Sequence, residues 1–539
     1  MSFGNSIAII DDGIRTKSIE QEKINYSIEI TADLEIREIY IDDDAELSHG
    51  TSCANIIYSK FSDCGFVSIK ILNENGQARS LQLVKALEWC ILNKTRIINM
   101  SLGTVNFKDY APVRKIINKA YRSGIIIIAA SDNNGMFTLP ASLENVIGVK
   151  CDKSNFLDGD DFIFHHTAVD GVNITTSPHH EIVRNGVLDY KFNESNSFGA
   201  PKITALVYGI TSENPGISFF EIKQELWKRS KKQIPKIDFS YTRRIDWVDS
   251  CILIEIGADS AADKIEFSDI VTKKDTLKAC TFSNELLLSI SKIIADSNDK
   301  AEVIAVLIQP DFEMTVGEEK KMLAEILTYN KDFIYINDRS KLKCFPENET
   351  LNRYWHPFHH DDSNGSTDFQ NESPVVLIND FTNFGYIDKI FGLVNSFKNE
   401  GYNAVVFSEA SLGILFGFEY LSPYSYKGNS IEFTEYIRNC IRIFDPDLVL
   451  ILAKGNSPII DYINILQDDI QPDITFNLVH GTDNTIMPSP SNADIVATIL
   501  ASVLEGADSK GLLSTDDVEG IFKFIVSNME KKESYFHLF

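Results

Sequence analysis

The chain has 539 residues, 44% of them hydrophobic, which is enough for two or three domains with sizeable cores. Its formal charge of −26 and pI near 4.8 disfavour binding to nucleic acid or anionic lipid, since both require clustered lysine and arginine. No apolar run approaches the ~20 residues needed to span a bilayer, so the sequence predicts no membrane anchor.

The first 250 residues alternate short apolar runs with segments of helical period. This alternation predicts an α/β domain built on a doubly wound, mostly parallel sheet. The predicted strands are residues 6–10, 67–71, 97–100, 125–130 and 146–149. The predicted helices are residues 49–59, 81–92, 113–122 and 200–210.

A second α/β series follows the polar stretch 258–275, with predicted strands beginning at Val303 and Phe333. Turn-forming residues then dominate 345–373, which indicates a long loop or linker. Strand and helix alternation resumes at Pro374. The sequence therefore predicts three domains, residues 1–250, 251–372 and 373–539.

The eight cysteines are scattered and lack the spacing of a metal site, so we expect free thiols. The N-terminus has neither the basic segment nor the apolar core of a signal peptide. Both features predict a cytosolic protein.

Three distant positions carry the residue types of nucleophilic catalysis. Asp11 ends the first predicted strand, His49 begins a helix, and Ser197 lies just before another helix. Peptide cleavage by a serine requires a hydroxyl nucleophile, an imidazole that accepts its proton and a carboxylate that orients the imidazole. The order Asp, His, Ser is the one found in subtilisin.

The sequences around these residues resemble the subtilisin-like serine proteases. The segments are IAIIDDGI at 7–14, SHGTSCANII at 48–57 and ESNSFGAPKITALVYGI at 194–210. They resemble the Asp-Ser/Thr-Gly, His-Gly-Thr and Gly-Thr-Ser-x-Ala-x-Pro motifs of that family. The resemblance implies that Asp11, His49 and Ser197 form the catalytic triad. The chain departs from the family pattern at four positions, Asp12, Ser195, Asn196 and Gly199.

Two further segments between His49 and Ser197 resemble family sequences. IINMSLG at 97–103 resembles the strand that pairs with an extended substrate, which implies that Ser101, Leu102 and Gly103 bind the peptide backbone.

IIIIAASDNNG at 125–135 resembles the segment whose asparagine stabilises the oxyanion. Counting without a gap from Ala129 puts Asp132 at that position, and a shift of one residue puts Asn133 there. Asn133 is the preferred donor because a carboxylate would repel the oxyanion, but the alignment leaves both open.

The resemblance implies a serine endopeptidase acting on a peptide or protein. We expect no cofactor, and no Asp-rich loop has a ligand spacing that predicts a metal site. The first predicted strand begins within ten residues of Met1, so we expect no propeptide. In this respect the chain resembles the cytosolic processing members of the family. The acidic residues of 42–46 precede His49 and either bind basic substrate side chains or form a solvated loop.

The C-terminal half carries a degenerate phosphate-loop-like segment, PVVLINDFTNFGYIDKIF, in which Tyr386 and Ile387 replace the required Lys and Ser/Thr. We therefore expect no nucleotide there. The histidines and aspartates of WHPFHHDD at 355–362 indicate a solvated polar loop in preference to a metal site.

As a whole, this half faintly resembles accessory proteins of bacterial peptide-maturation systems. That resemblance implies that 251–539 recognise the leader of a ribosomally made, modified peptide, which Ser197 then cleaves. The alternative function is that of a scaffold protein, not an enzyme, which holds a peptide in a subtilisin-like cleft without cleaving it. The sequence leaves the substrate, the oligomeric state and calcium binding open.

Overall fold

The structure is a computed structural model. It describes residues 3, 6–15, 19, 21–40, 48–179, 181–184, 187–191, 194–231, 237–258, 265, 267, 270–296, 303–342, 352–357, 373–422, 430–465, 472–479, 495–500, 513–514 and 518–529. The chain divides into two compact units, Met1–Phe239 and Ser240–Phe539.

The first unit is organised around a nine-stranded sheet with the order β3-β2-β4-β1-β5-β6-β7-β9-β8 and a separate β10-β11 hairpin. The seven central strands are parallel, and only the edge strands β3 and β8 run antiparallel to their neighbours. The strands are β1 (Ser6–Asp11), β2 (Ile24–Ile30), β3 (Ile36–Glu38), β4 (Gly65–Lys70), β5 (Ile97–Met100), β6 (Ile126–Ala130), β7 (Ile147–Cys151), β8 (Phe162–Phe164), β9 (Ile174–Thr176), β10 (Glu181–Arg184) and β11 (Val187–Lys191). The helices are α1 (His49–Lys60), α2 (Ser80–Leu92), α3 (Tyr110–Arg122), α4 (Asn196–Glu213) and α5 (Phe219–Arg229).

The predicted α/β class with a mostly parallel sheet is confirmed. Every residue of β1, β5 and β6 is buried, as expected for strands of a parallel sheet with both faces covered. Helix α4 begins four residues before its predicted start at residue 200, because Ser195 caps it. Helix α5, strand β2 and the short strands β3 and β8–β11 were not predicted from the sequence.

The second unit contains two parallel sheets, of five strands in the order β13-β12-β14-β15-β16 and seven in the order β19-β18-β20-β17-β21-β22-β23. The first comprises β12 (Cys251–Gly257), β13 (Val271–Lys278), β14 (Val303–Ile308), β15 (Asp332–Ile336) and β16 (Tyr354–Trp355), with helices α6 (Asn284–Asp296) and α7 (Val316–Leu327). The second comprises β17 (Val375–Asp380), β18 (Ala404–Ser408), β19 (Glu419–Tyr420), β20 (Leu448–Lys454), β21 (Ile474–Val479), β22 (Ile495–Leu500) and β23 (Leu513–Ser514), with α8 (Ile387–Glu400), α9 (Ser430–Phe444), α10 (Pro458–Ile465) and α11 (Val518–Met529).

The division between the units falls before residue 240 and not at residue 250. Tyr241, Trp247 and Val248 pack into the core of the second unit, which explains the earlier division. That core is continuous across both sheets, so the predicted division at residue 372 separates two sheets within one compact unit.

The phosphate-loop-like segment connects β17 to α8. The Asp380 carboxylate accepts hydrogen bonds from the backbone amides of Thr382 and Phe384, at 2.6 and 3.2 Å. These amides are thus already paired with an anionic side chain, although the absence of nucleotide stays a prediction.

His356 was predicted to lie in a solvated polar loop. It is instead buried against Tyr241 and Tyr354.

Among the described helices, none is both long enough and apolar enough to cross a membrane.

A buried ion pair in the second unit gives a stability prediction. Arg244 Nε donates to Glu419 at 2.9 Å, Arg243 lies 3.8 Å from the same carboxylate, and all three side chains are less than 15% exposed. Glu419→Ala would remove a buried carboxylate from beside two buried guanidinium groups, so we expect a loss of about 3–5 kcal/mol in the free energy of unfolding. Urea denaturation measures it, with Glu400→Ala, an exposed glutamate, as control. Equal midpoints for both variants would contradict the prediction.

Candidate active site

Asp11 and His49 meet at the C-terminal end of β1. Asp11 is fully buried, and His49 Nδ1 lies 2.9 Å from each of its carboxylate oxygens. Because His49 is the first residue of α1, its ring is carried by a helix that packs against β1. A carboxylate can only accept, so Nδ1 carries the proton and Nε2 is left as the basic nitrogen.

Electrostatics favour a charged His49. Burial opposes the imidazolium, but the hydrogen bond to Asp11 and the charges of Asp11 and Asp12 outweigh it and raise the pKa of His49 above its ordinary value. The side chain remains 33% exposed, so the ring is not sealed from an incoming substrate. The arrangement suits a general base that is stabilised once it has accepted a proton.

Ser197 is the second residue of α4. The Ser197 amide donates to the side chain of the N-cap Ser195 at 3.3 Å, and the ring of Phe198 lies 5.3 Å from the His49 ring. The three predicted catalytic residues therefore lie on elements that are packed together, since α4 also packs against α1.

Pro201 explains how the Ser197 carbonyl is held. In a regular helix the amide of residue 201 would donate to the carbonyl of residue 197, but proline has no N–H. Ser101 Oγ donates to that carbonyl instead, at 2.7 Å. Ser101, predicted to bind substrate through its backbone, thus uses its side chain to position the nucleophile's segment.

A buried polar chain supports Ser101. Asn99 Nδ2 donates to Ser101 Oγ at 3.2 Å, and Thr204 Oγ1 donates to Asn99 Oδ1 at 2.9 Å. Neither supporting residue was predicted from the sequence. Asn99 could have been identified, because it is the single polar residue of the apolar strand IINM.

Asn196 ties the start of α4 to the segment after β6. Its Nδ2 donates to the carbonyls of Ser131 and Asp132, at 3.2 and 2.8 Å, and its Oδ1 accepts from the Cys151 amide at 2.7 Å. Asn196 is 5% exposed. This departure from the family motif therefore adds hydrogen bonds that fix the turn before Ser197.

The geometry favours Asn133 over Asp132 as oxyanion donor. The Asn196 amide donates to Asn133 Oδ1 at 3.1 Å, which requires oxygen at that position and leaves Nδ2 as the remaining group. Asp132 instead accepts from the Asn134 amide at 2.6 Å. Asn133 is exposed and adjacent to the start of α4.

The predicted substrate-binding residues 101–103 follow β5 directly but lie outside the strand itself. Leu102 is half-buried and Gly103 is exposed, and the next residue, Thr104, exchanges two backbone hydrogen bonds with Leu139. A Cβ atom at residue 103 would lie 2.7 Å from the Thr138 side chain and 2.8 Å from the Leu139 carbonyl. Glycine is thus required there, because the chain at residue 103 passes so close to residues 138–139.

Close packing also explains Gly199, where the family has alanine. A Cβ atom at that position would lie 2.9 Å from Thr176 Cγ2 and 3.3 Å from Cys151 Sγ. Thr176 of β9 and Cys151 of β7 therefore leave no room for an alanine methyl group at this position of α4.

The only described cluster of His, Cys and carboxylate groups compact enough for a metal is Asp11, His49 and Cys53, within 4.8 Å. Burial raises the pKa of the Cys53 thiol well above its ordinary value, and the thiol donates to Ser101 at 3.3 Å. A protonated thiol does not bind metal, and Asp11 and His49 are bonded to each other. The donor set fits proton transfer better than a resident metal. Two predicted features lie outside the described residues: the acidic residues of 42–46, and the histidines and aspartates of 359–362.

Residues 3–242 match the subtilase family. Among curated proteins, this chain is similar to the minor extracellular protease Epr of Bacillus subtilis strain 168, with 27% identity over 240 residues, covering 41% of this chain and 34% of Epr. It is similar to subtilisin DY of Bacillus licheniformis, with 30% identity over 122 residues, covering 20% of this chain and 44% of subtilisin DY. The chain thus spans less than half the length of these two relatives.

Solved structures with a similar arrangement include an S41 psychrophilic protease, at 20% identity and a TM-score of 0.34, covering 42% of this chain and 83% of that one. They also include a lanthipeptide protease, at 16% identity and a TM-score of 0.32, covering 42% and 80%. The residues around Asp11, His49 and Ser197 lie within the family match. The similarity to subtilases is therefore carried by residues 3–242, the segment that contains Asp11, His49 and Ser197.

Proposed function

We propose that the protein is a serine endopeptidase in which Ser197 is the nucleophile, His49 the general base and Asp11 the residue that orients His49. The observation that carries the proposal is the hydrogen bond between buried Asp11 and His49 Nδ1, beside the helix start that bears Ser197.

The reaction follows from this geometry. His49 Nε2 accepts the proton of Ser197 Oγ as that oxygen attacks the scissile carbonyl, and Asp11 stabilises the resulting imidazolium. Asn133 Nδ2 donates to the oxygen that becomes negative. His49 then gives its proton to the leaving amine, and water hydrolyses the acyl-enzyme by the same steps.

Fluorophosphonate labelling tests this proposal. The reagent bonds covalently to a serine that its base has activated, so the purified wild-type protein should be labelled and Ser197→Ala should not. Mass spectrometry of the labelled peptide locates the modified residue. A folded wild-type protein that resists labelling would instead favour a non-catalytic peptide-binding scaffold.

The finer proposal is that the substrate is a precursor peptide and that cleavage removes its leader. Apart from its first three residues, the second unit lies outside the subtilase match, and we propose that it recognises the leader. The wild-type full-length protein and the Ser197→Ala variant should each be incubated with precursor peptides, and the masses of the products measured by mass spectrometry. We expect one cut between leader and core with the wild type only, and many scattered cuts would oppose the proposal.

We also propose a cytoplasmic location. The seven cysteines that the structure describes are free thiols, which suits a reducing compartment. Cell fractionation tests the location directly.

A further inference from the structure

Asp12 occupies the position where the subtilisin-like motif has serine or threonine. Its carboxylate has two oxygens and accepts hydrogen bonds from two backbone amides, with a separate oxygen for each. Its Oδ2 accepts from the His49 amide at 3.1 Å, and its Oδ1 accepts from the Gly50 amide at 2.8 Å. One carboxylate therefore binds the first two amides of α1. Those amides have no partner within the helix.

The remaining contacts of the α1 N-terminus are also fixed. Ser48 caps the helix by accepting from the Thr51 amide at 3.3 Å, and Thr51 Oγ1 accepts from the Arg15 amide at 2.9 Å. The loop after β1 is thus bound to the helix that presents His49 at several points.

The packing around Gly50 shows how closely helix and loop approach. A Cβ atom at residue 50 would lie 2.8 Å from the Gly13 carbonyl, 3.0 Å from Asp11 Cβ and 3.0 Å from Asp12 Oδ1. The glycine therefore permits the approach that the Asp12 carboxylate then locks.

The second consequence is electrostatic. In the described part of the chain, the titratable groups that face His49 are Asp11 on β1, Asp12 in the following loop and Cys53 on α1. Cys53 is an uncharged thiol, since burial raises its pKa. The two aspartates thus supply the negative charge, and the charge of Asp12 contributes to the raised pKa of His49.

We infer that Asp12 is a positioning residue for the general base: it fixes the helix start that carries His49 and stabilises the imidazolium with a second negative charge. This inference rests on the proposed function, because it assigns Asp12 a part in the same proton transfer.

The test compares labelling rates of full-length wild type, Asp12→Asn and Asp12→Glu across pH. The amide of Asp12→Asn keeps one acceptor, but it places a donor against a helix amide and removes the charge. We expect the maximal rate to fall about ten- to a hundredfold and the midpoint of the acid limb to move to lower pH, because the imidazolium is less stabilised. Asp12→Glu, which retains the charge, should keep the midpoint closer to the wild-type value.

Asp33→Asn is the matched control, since it removes one charge from an exposed position of the same unit. It should leave rate and midpoint unchanged. Thermal melting checks that each variant is folded. A slower Asp12→Asn enzyme with an unmoved midpoint would overturn the inference, because a merely structural role changes rate alone.

A second measurement separates failure of this inference from failure of the proposed function. The His49 imidazole is titrated by NMR in protein carrying ¹³C-histidine, with its signal assigned by its loss in His49→Gln. A lower pKa in Asp12→Asn supports the inference even if no labelling occurs. An identical pKa refutes it even if Ser197 proves fully active.

Discussion

Asp11→Asn is expected to lower the labelling rate and kcat on a peptide substrate by about 10⁴-fold while leaving the fold intact. The introduced amide would donate to Nδ1, so the proton of the imidazole would move to Nε2. The ring would then present a donor, and not a base, to Ser197. The wild-type geometry makes this loss specific, because both carboxylate oxygens of Asp11 lie 2.9 Å from Nδ1.

The control for this variant is Asp170→Asn. Asp170 is a buried carboxylate of the same unit whose described partners are Lys150 and the Val172 amide, neither of them a proposed catalytic residue. Circular dichroism and thermal melting compare folding, and stopped-time labelling measures the rate. If Asp11→Asn retained activity within tenfold of the wild type, the assignment of Asp11 as the orienting residue would be wrong.

Asn133→Ala has the second largest expected effect, a loss of about 10²–10³-fold in kcat with little change in KM. The donor acts on the negative oxygen that exists only in the transition state, so its removal slows the reaction without weakening substrate binding. Asn133 Nδ2 is the group left available once Oδ1 accepts from the Asn196 amide.

Two neighbours make this prediction sharp. Asn134→Ala removes an adjacent exposed amide and should have little effect. Asp132→Asn separates the two alignments that the sequence left open. If Asp132 faced the oxyanion, removing its charge would raise kcat, whereas a residue engaged with the Asn134 amide should give no gain. A rise in kcat for Asp132→Asn would therefore contradict the assignment of Asn133.

The two units differ in how much their sequences explain. The first unit carries motifs whose chemistry can be inferred without coordinates, and it contains all but the last three residues of the family match. The second unit carries α/β folds with a common core, but its sequence offers only a resemblance and a degenerate loop. Its role therefore rests on experiments with intact substrate.

The sequence by itself determined the α/β class and most central strands of the first sheet, and it predicted Asp11, His49 and Ser197 as the catalytic residues. Apolar runs and helical periods are local patterns, and the residues of a motif are adjacent in the chain. Both can therefore be recognised without knowledge of the tertiary contacts.

Only the tertiary structure decided what the departures from the motifs do. Asp12 meets residues 37 and 38 positions later, Asn196 meets residues more than 40 positions earlier, and Ser101 replaces a helix donor that Pro201 lacks. Such hydrogen bonds join groups that are distant in sequence, and nothing in a local pattern specifies which partner the folded chain will bring to them. The division near residue 240 has the same cause, because the side chains that set it pack against strands more than 50 residues away.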